Sequence, residues 1–144
     1  MTDALPPIPG ISAEEAETLL AAAGAVSVRA YAPYSGVRIG AALLTGGGAV
    51  YAGCNVENAS LSLTTCAERN ALAAAVAGEG GDRLRIRAIA VRTNDLAACP
   101  PCGACRQALA ELAPEAVVLF ETGHGLAARA VAELLPDGFT LSPG

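Results

Sequence analysis

Three cysteines and one glutamate in this chain have the types and spacing of a hydrolytic metal site. Cys66 and Glu68 lie two residues apart, and Cys102 and Cys105 form a C-x-x-C pair further along the chain. Three thiolates can hold one Zn²⁺ and leave its fourth position open, as in catalytic rather than structural zinc sites. A carboxylate beside that position can take a proton from water and pass it to a substrate. The pattern therefore indicates zinc-assisted hydrolysis.

Each part of this pattern also has a simpler explanation. Glu68 could serve only as the N3 residue of a capping box that Thr65 begins. Cys102 and Cys105 could be a redox dithiol, or half of a structural zinc site closed by a fourth ligand, Cys99. A four-cysteine site would not be catalytic. Metal coordination separates these hypotheses, because three sulfurs plus an oxygen support catalysis and four sulfurs exclude it.

Charge balance gives Arg69 a possible part in the site. Three thiolates around Zn²⁺ carry a net charge of −1, which opposes the ionisation of a bound water. Arg69 follows Glu68 directly and could offset that charge by donating hydrogen bonds to a sulfur. Cys66 and the Cys102/Cys105 pair each lie at a predicted helix start, where the helix dipole lowers a thiol pKa.

Helices and strands alternate along the chain, which predicts an α/β domain with helices covering a mixed sheet. A capping box at Ser12 and Glu15 begins the first helix. The predicted helices span about 13–30, 66–77 (with Thr65 as N-cap), 102–112 and 131–135, and the predicted strands about 37–44, 49–54, 86–92, 116–121 and a short segment near 127. We expect residues 1–144 to form a single domain, with 1–10 as a loose tail.

Composition excludes several function classes. The net charge is −5 and no Lys/Arg cluster could follow a phosphate backbone, so nucleic acid is not an expected partner. No apolar run approaches the ~18 residues of a membrane span, and the N-terminus lacks the pattern of a secretory signal. We therefore predict a cytoplasmic protein that binds a small molecule. In that compartment, five cysteines indicate metal binding or catalysis rather than disulfides.

Six segments, in order along the chain, resemble the small homotetrameric cytidine deaminases of nucleoside salvage. They are Tyr31-x-Pro33-Tyr34-Ser35, Ile39-Gly40-Ala41-Ala42-Leu43, Gly53-Cys54-Asn55-Val56-Glu57-Asn58-Ala59, Cys66-Ala67-Glu68-Arg69, Pro101-Cys102-Gly103-Ala104-Cys105-Arg106-Gln107 and Glu133-Leu134-Leu135-Pro136-x-x-Phe139. The resemblance implies a three-layer α/β/α sandwich with a mixed five-stranded sheet. It also implies one Zn²⁺ per subunit and a homotetramer whose sites are shared between subunits.

The resemblance also implies a role for each matching residue. Cys66, Cys102 and Cys105 would ligate zinc, with Arg69 compensating the charge of the thiolates. Glu68 would shuttle protons while water replaces the amine at C4 of cytosine, giving uridine or deoxyuridine and ammonia. The implied substrate-binding residues are Asn55 and Glu57 at the ribose hydroxyl, Ala67 and Val37 beside the substrate, and Phe139 over the pyrimidine of a neighbouring subunit.

Two positions depart from the family pattern. Val37 and Leu61 stand where the family commonly has aromatic residues. Both changes concern the pocket wall or the subunit contacts, so they affect the expected substrate range more than the reaction type. A deaminase of another aminopyrimidine, such as a blasticidin-type compound, is the alternative within the same fold. Asn55 and Glu57 favour a substrate that carries ribose.

Overall fold

The computed structural model describes residues 5–142 and has the predicted order of helices and strands. The elements are α1 (Ala13–Ser27), β1 (Ile39–Thr45), β2 (Val50–Cys54), a 3₁₀ turn (Leu61–Leu63), α2 (Ala67–Glu79), β3 (Ile86–Thr93), α3 (Gly103–Leu112), β4 (Val117–Thr122), β5 (Gly125–Ala130) and α4 (Val131–Leu134). The capping box of Ser12 and Glu15 is confirmed at the start of α1. Among the described helices, none is long and apolar enough to cross a membrane.

The five strands form one mixed sheet in the order β2-β1-β3-β4-β5. β1 runs antiparallel to both β2 and β3, β3 and β4 are parallel, and β5 returns antiparallel to β4. The register places Ile39, the first residue of β1, opposite Thr93, the last residue of β3. The predicted mixed five-stranded sheet is confirmed.

Alternation along β1 separates two hydrophobic layers. Ala41 and Leu43 face the layer that contains residues of α2 and α3, whereas Ala42 and Leu44 face the layer that contains α1. Because each face of the sheet is covered by helices, the predicted α/β/α sandwich is confirmed. Ile8 is buried in the α1 layer, so this part of the chain differs from the predicted loose tail. Residues 1–4 of that tail lie outside the described residues.

Two glycines let the helices approach the sheet closely. A Cβ atom on Gly40 would lie 1.9 Å from the carbonyl oxygen of Ala23 in α1. On the opposite face, a Cβ atom on Gly53 would lie 2.5 Å from the backbone nitrogen of Ala71 and 2.9 Å from the carbonyl oxygen of Ala67, both in α2. Gly53 therefore fixes how closely the first turns of α2 pack on the sheet.

The start of α2 corrects one prediction. Thr65 is not the N-cap, because its backbone N–H and C=O both pair with Val56 in an extended bridge. Cys66 is the N-cap instead, and no side chain caps the helix. Glu68 is consequently the second helical residue rather than the third. The capping-box explanation of Glu68 is wrong.

Candidate active site

The three predicted ligands come together. The sulfur atoms of Cys66, Cys102 and Cys105 all lie within 4.8 Å of one another, and the Cys66 and Cys102 sulfurs are 3.8 Å apart. Two sulfurs bonded to Zn²⁺ at about 2.3 Å in tetrahedral geometry are also about 3.8 Å apart. Cys66 and Cys102 are the N-caps of α2 and α3, and Cys105 lies in the first turn of α3. The cluster therefore fits a zinc ion.

Cys99 does not belong to this thiol cluster. Among the described residues, the group whose ligand atoms converge contains three cysteines, and Cys99 is not one of them. Its thiol is buried, and burial, together with the charges of Glu68 and Cys66, raises its pKa to about 11. The geometry favours a site with three sulfur ligands over the closed four-cysteine alternative.

The thiols share protons unequally when no metal is bound. A hydrogen bond from Cys105 lowers the pKa of Cys66 to about 5, with further help from Arg69 and Cys102. The pKa of Cys105 is raised, chiefly because its proton is held in that same hydrogen bond. The cluster thus already contains one thiolate near neutral pH, as a metal ligand requires.

Arg69 lies against the thiol cluster. Its Nη2 atom is 3.7 Å from the sulfur of Cys66 and 3.4 Å from the carbonyl oxygen of Thr64. The hydrogen bond to Cys66 raises the pKa of Arg69 above its ordinary value. Its Nε atom is buried and has no hydrogen-bond partner within the described part of the chain. Charge compensation of the thiolates requires a contact of this kind between the Arg69 guanidinium and the Cys66 sulfur.

Glu68 is buried beside the thiols, with only 4% of its surface exposed. Burial raises its pKa above the ordinary value, and the negative charge of Cys66 raises it further. A carboxyl group with a raised pKa accepts and releases a proton closer to neutral pH, which suits a proton carrier. Its position and its pKa direction both agree with the predicted role.

A cavity of about 240 Å³ joins the thiols to residues from distant parts of the sequence. Its lining includes Val37, Asn55, Glu57, Cys66, Glu68 and Cys102. Two of these residues are carboxylates, and none of the described lining residues is a lysine or arginine. A larger cavity of about 420 Å³ is lined by none of the thiols or Glu68, and its wall includes Arg85, Arg87, Glu111 and Glu115. The smaller cavity is therefore the candidate active site.

Asn55 holds one wall of this cavity. Its Nδ2 atom donates to the carbonyl oxygen of Val37 at 2.9 Å, and its Oδ1 atom accepts from the N–H of Ile39 at 2.8 Å. The amide retains one N–H and one lone pair for another partner. The structure thus gives Asn55 a role in positioning the wall, which its sequence pattern did not indicate.

Glu57, two residues after Asn55 in the chain, holds the same wall of the cavity. Its Oε1 atom accepts from the N–H groups of Tyr34 and Ser35 at 2.9 and 3.1 Å, and its Oε2 atom accepts from the Ser35 hydroxyl. These bonds, led by that of the hydroxyl, lower the pKa of Glu57. The sequence predicted no role for Ser35. Its hydroxyl donates to Glu57 and accepts from the backbone N–H of Val37, so it links these two residues.

The remaining predicted residues lie outside the cavity. Phe139 is 68% exposed, and its carbonyl oxygen accepts from the side chain of Gln107. Leu61 is 77% exposed and lines an outer depression that also borders Glu57. Ala67 is fully buried in the core below α2. Contact of Phe139 with a neighbouring subunit's site stays a prediction, because one chain is described.

Residues 13–121 match the model of the cytidine and deoxycytidylate deaminase zinc-binding region. This match includes all three clustered cysteines and Glu68. The chain belongs to the cytidine and deoxycytidylate deaminase family. Zn²⁺ is accordingly the cofactor, and the protein is an enzyme that acts on a small molecule.

Individual members of this deaminase family show how far the likeness extends. The chain is 49% identical over 113 residues to a cytidine deaminase of Halalkalibacterium halodurans, covering 77% of this chain and 83% of that protein. The crystal structure of cytidine deaminase from Burkholderia pseudomallei superposes with a TM-score of 0.77 at 43% identity, covering 85% of this chain and 98% of that one. A blasticidin-S deaminase of Bacillus cereus is 30% identical over 107 residues, covering 71% and 76%.

Proposed function

We propose that this protein converts cytidine and deoxycytidine to uridine and deoxyuridine by hydrolysis, with release of ammonia. The observation that carries this proposal is the cavity lined by buried Glu68 and by Cys66 and Cys102, two of the three convergent thiols. The relatives named cytidine deaminase support the choice of substrate. The family's zinc-binding region supports the choice of cofactor.

The residues of the cavity divide the chemistry between them. Zn²⁺, held by Cys66, Cys102 and Cys105, supplies Lewis-acid activation of a water molecule. Glu68 accepts the proton of the attacking water and delivers it to N3 of the pyrimidine. The oxygen of the water bonds to C4. Glu68 then takes the second proton from that oxygen and passes it to the amine, so that the C4–N bond breaks as the C4=O bond forms and ammonia leaves. Arg69 balances the charge of the thiolates.

The charge of the cavity supports a nucleoside rather than a nucleotide as the substrate. The cavity lining contains two carboxyl groups, those of Glu57 and Glu68, and the described lining residues include no cationic side chain. A 5′-phosphate entering this cavity would meet carboxylates with no cationic side chain among the described lining residues to compensate its charge. The depressed pKa of Glu57 keeps it ionised, so it can accept a hydrogen bond from a ribose hydroxyl.

A second candidate substrate is an aminopyrimidine of the blasticidin type. The 30% identity to a blasticidin-S deaminase supports it, as does the aliphatic Val37 in the cavity wall. The higher identity to cytidine deaminases and the presence of both Asn55 and Glu57 favour cytidine. Direct comparison of the two substrates decides between them.

We further propose one domain per chain, a cytoplasmic location and a homotetramer. Exposed apolar side chains support the assembly, since a monomer would leave them in water. They are Tyr31, Tyr34, Val56, Leu61 and Leu63, with Phe139 at the C-terminal end of the chain. Light scattering after size-exclusion chromatography measures the mass, and a monomeric mass would overturn the proposed tetramer.

Ultraviolet absorbance tests the proposed reaction. The purified protein is incubated with cytidine, deoxycytidine, cytosine, deoxycytidylate and blasticidin S, with and without a chelator. We expect loss of the cytosine chromophore for the two nucleosides, little turnover of deoxycytidylate, and loss of activity on zinc removal that added zinc restores. Failure to deaminate either nucleoside would overturn the proposal, and turnover of blasticidin S alone would establish the second candidate.

A further inference from the structure

The backbone N–H and C=O of Arg38 are held by two side chains, one from the last residue of β3 and one from the segment directly after it. Its N–H donates to the Oδ2 atom of Asp95 at 2.7 Å, and its carbonyl oxygen accepts from the Thr93 hydroxyl at 2.7 Å. The same hydroxyl oxygen accepts from the N–H of Asp95 at 3.1 Å. Two of these hydrogen bonds connect both backbone polar groups of Arg38 to one short segment, and the third joins Thr93 and Asp95 within that segment. We call Arg38, Thr93 and Asp95 the Arg38 latch.

The Arg38 latch continues strand pairing beyond the end of the sheet. Ile39 opposite Thr93 is the last pair between β1 and β3, so Arg38 lies just outside the ladder. Asn55, which follows β2, holds Val37 and Ile39 from the other neighbouring strand. Side chains at or just beyond the ends of β2 and β3 therefore fix the chain where it enters β1, at residues that lack regular backbone pairing.

The latch also joins two walls of the cavity. Val37, directly before Arg38, lines the cavity and is half-buried. Asp95 lies in the connection from β3 to α3, which also contains Cys99 and Cys102, and both of these cysteines line the same cavity. Asp95 does not line the cavity. Any effect of Asp95 on a ligand must therefore pass through the walls that it ties together.

We propose that Asp95, together with Thr93, is a positioning residue for the deamination described above. It fixes the spacing between the Val37 wall and the Cys99–Cys102 connection, and so the fit of the nucleoside between them. This inference rests on the proposed function. Cys66 and Glu68 are held at the start of α2, and Cys102 and Cys105 at the start of α3, rather than by the latch. Loosening the latch therefore affects substrate binding more than proton transfer.

The test compares Asp95→Ala with Asp95→Asn, because the asparagine oxygen can still accept from Arg38. Thr93→Val removes the hydroxyl that donates to the carbonyl oxygen of Arg38. Asn94→Ala, at the exposed neighbouring position, is the matched control. For each variant and the wild type we measure kcat and KM with cytidine, bound zinc and the melting temperature.

For Asp95→Ala and Thr93→Val we expect KM to rise about three- to tenfold, the effect of losing one hydrogen bond, while kcat changes less than about twofold. Zinc content stays at the wild-type level. Asp95→Asn restores KM to within about twofold of the wild type, and Asn94→Ala leaves it unchanged. This pattern establishes a positioning role, because a merely structural loss would lower the melting temperature without a selective change in KM.

Four outcomes overturn the inference. The first is an Asp95→Ala variant with wild-type KM, whatever its melting temperature. The second is an Asp95→Asn variant as impaired as Asp95→Ala. The third is an Asp95→Ala variant that does not fold, together with a Thr93→Val variant of normal KM. The fourth, a wild-type protein that leaves both nucleosides unchanged, overturns the proposed function as well, whereas the first three leave that function intact.

Discussion

The Nη2 atom of Arg69 lies 3.7 Å from the sulfur of Cys66, so a guanidinium group contacts one of the three clustered thiols. Arg69 also bonds the carbonyl oxygen of Thr64, which fixes its side chain beside the N-cap of α2. A cation in this position favours the thiolate form of Cys66, the form that binds metal. The contact connects metal retention to a residue that is not itself a ligand.

Arg69→Ala is expected to weaken zinc retention or hydrolysis by about 10- to 100-fold, the usual cost of losing an outer-shell partner of a metal ligand. Competition with a chromogenic chelator measures the affinity, and cytidine turnover at saturating zinc measures the rate. Arg83→Ala is the control, because Arg83 is exposed. Unchanged affinity and rate in Arg69→Ala would remove the charge-compensating role.

Glu68→Gln should lower kcat by about 10²- to 10⁴-fold, because the amide cannot carry a proton between water and substrate. The change is close in size and shape, so the buried position should still pack. Zinc content is expected to stay at the wild-type level, since the three sulfurs are untouched. A variant with normal zinc and near-normal kcat would contradict the proposed mechanism more directly than any metal assay.

Gly53→Ala should both destabilise the protein and impair activity. Its new Cβ atom would lie 2.5 Å from the backbone nitrogen of Ala71, so α2 must move away from the sheet. Overpacking of this kind typically costs about 1–3 kcal/mol. Because α2 carries Glu68, kcat should fall as well. Gly47→Ala, where the added carbon meets nothing within 4 Å, is the matched control for both denaturant unfolding and kinetics.

The ion pair between Glu15 and Arg87 predicts a pH dependence of stability. The Nη1 atom of Arg87 lies 2.8 Å from the Oε2 atom of Glu15. Hydrogen bonds from Ser12 and Arg87 lower the pKa of Glu15 from its ordinary value of 4.5. A lowered folded-state pKa contributes stability above the unfolded value and loses it as pH falls through the folded value. Glu15→Gln should therefore lower the melting temperature at pH 7, and its difference from the wild type should shrink below about pH 4. A constant difference from pH 7 to pH 3 would contradict the assignment.

After zinc removal, Cys66 should react with an alkylating reagent much faster than Cys99. The pKa of Cys66 is about 5 and that of Cys99 is about 11, so at pH 7 only the former is largely thiolate. Brief iodoacetamide treatment of chelated protein, followed by peptide mass spectrometry, should label Cys66 before Cys99. The zinc-loaded protein should resist labelling at Cys66. Equal labelling of both residues would show that the proposed proton distribution is wrong.

The sequence was sufficient for the order of elements and for the thiol cluster, because both depend on local pattern. Capping residues, apolar runs and glycine turns mark each helix and strand, and C-x-x-C at a helix start brings Cys102 and Cys105 together. The sequence did not predict the start of α2 correctly. An extended bridge between Thr65 and Val56 moves the N-cap by one residue, from Thr65 to Cys66. Tertiary pairing there overrides a local preference.

The contacts around the cavity wall depend on long-range register, so local pattern could not indicate them. Arg38 and Asp95 are 57 residues apart, and they meet only because β1 and β3 pair with Ile39 opposite Thr93. Asn55 likewise reaches back 18 residues to the carbonyl of Val37. The resemblance to cytidine deaminases implied a ligand-binding role for Asn55, whereas the structure shows its amide engaged with the main chain.

The short distance between Cys66 and Cys102 has a consequence for the topology of the unfolded chain. A metal bound to both would cross-link two points 36 residues apart. In the chain-entropy model, a covalent closure of such a loop removes about 4 kcal/mol of unfolded-state freedom. The ion would then cross-link the chain around α2 and β3, so that zinc removal would lower the free energy of unfolding as well as the catalytic rate.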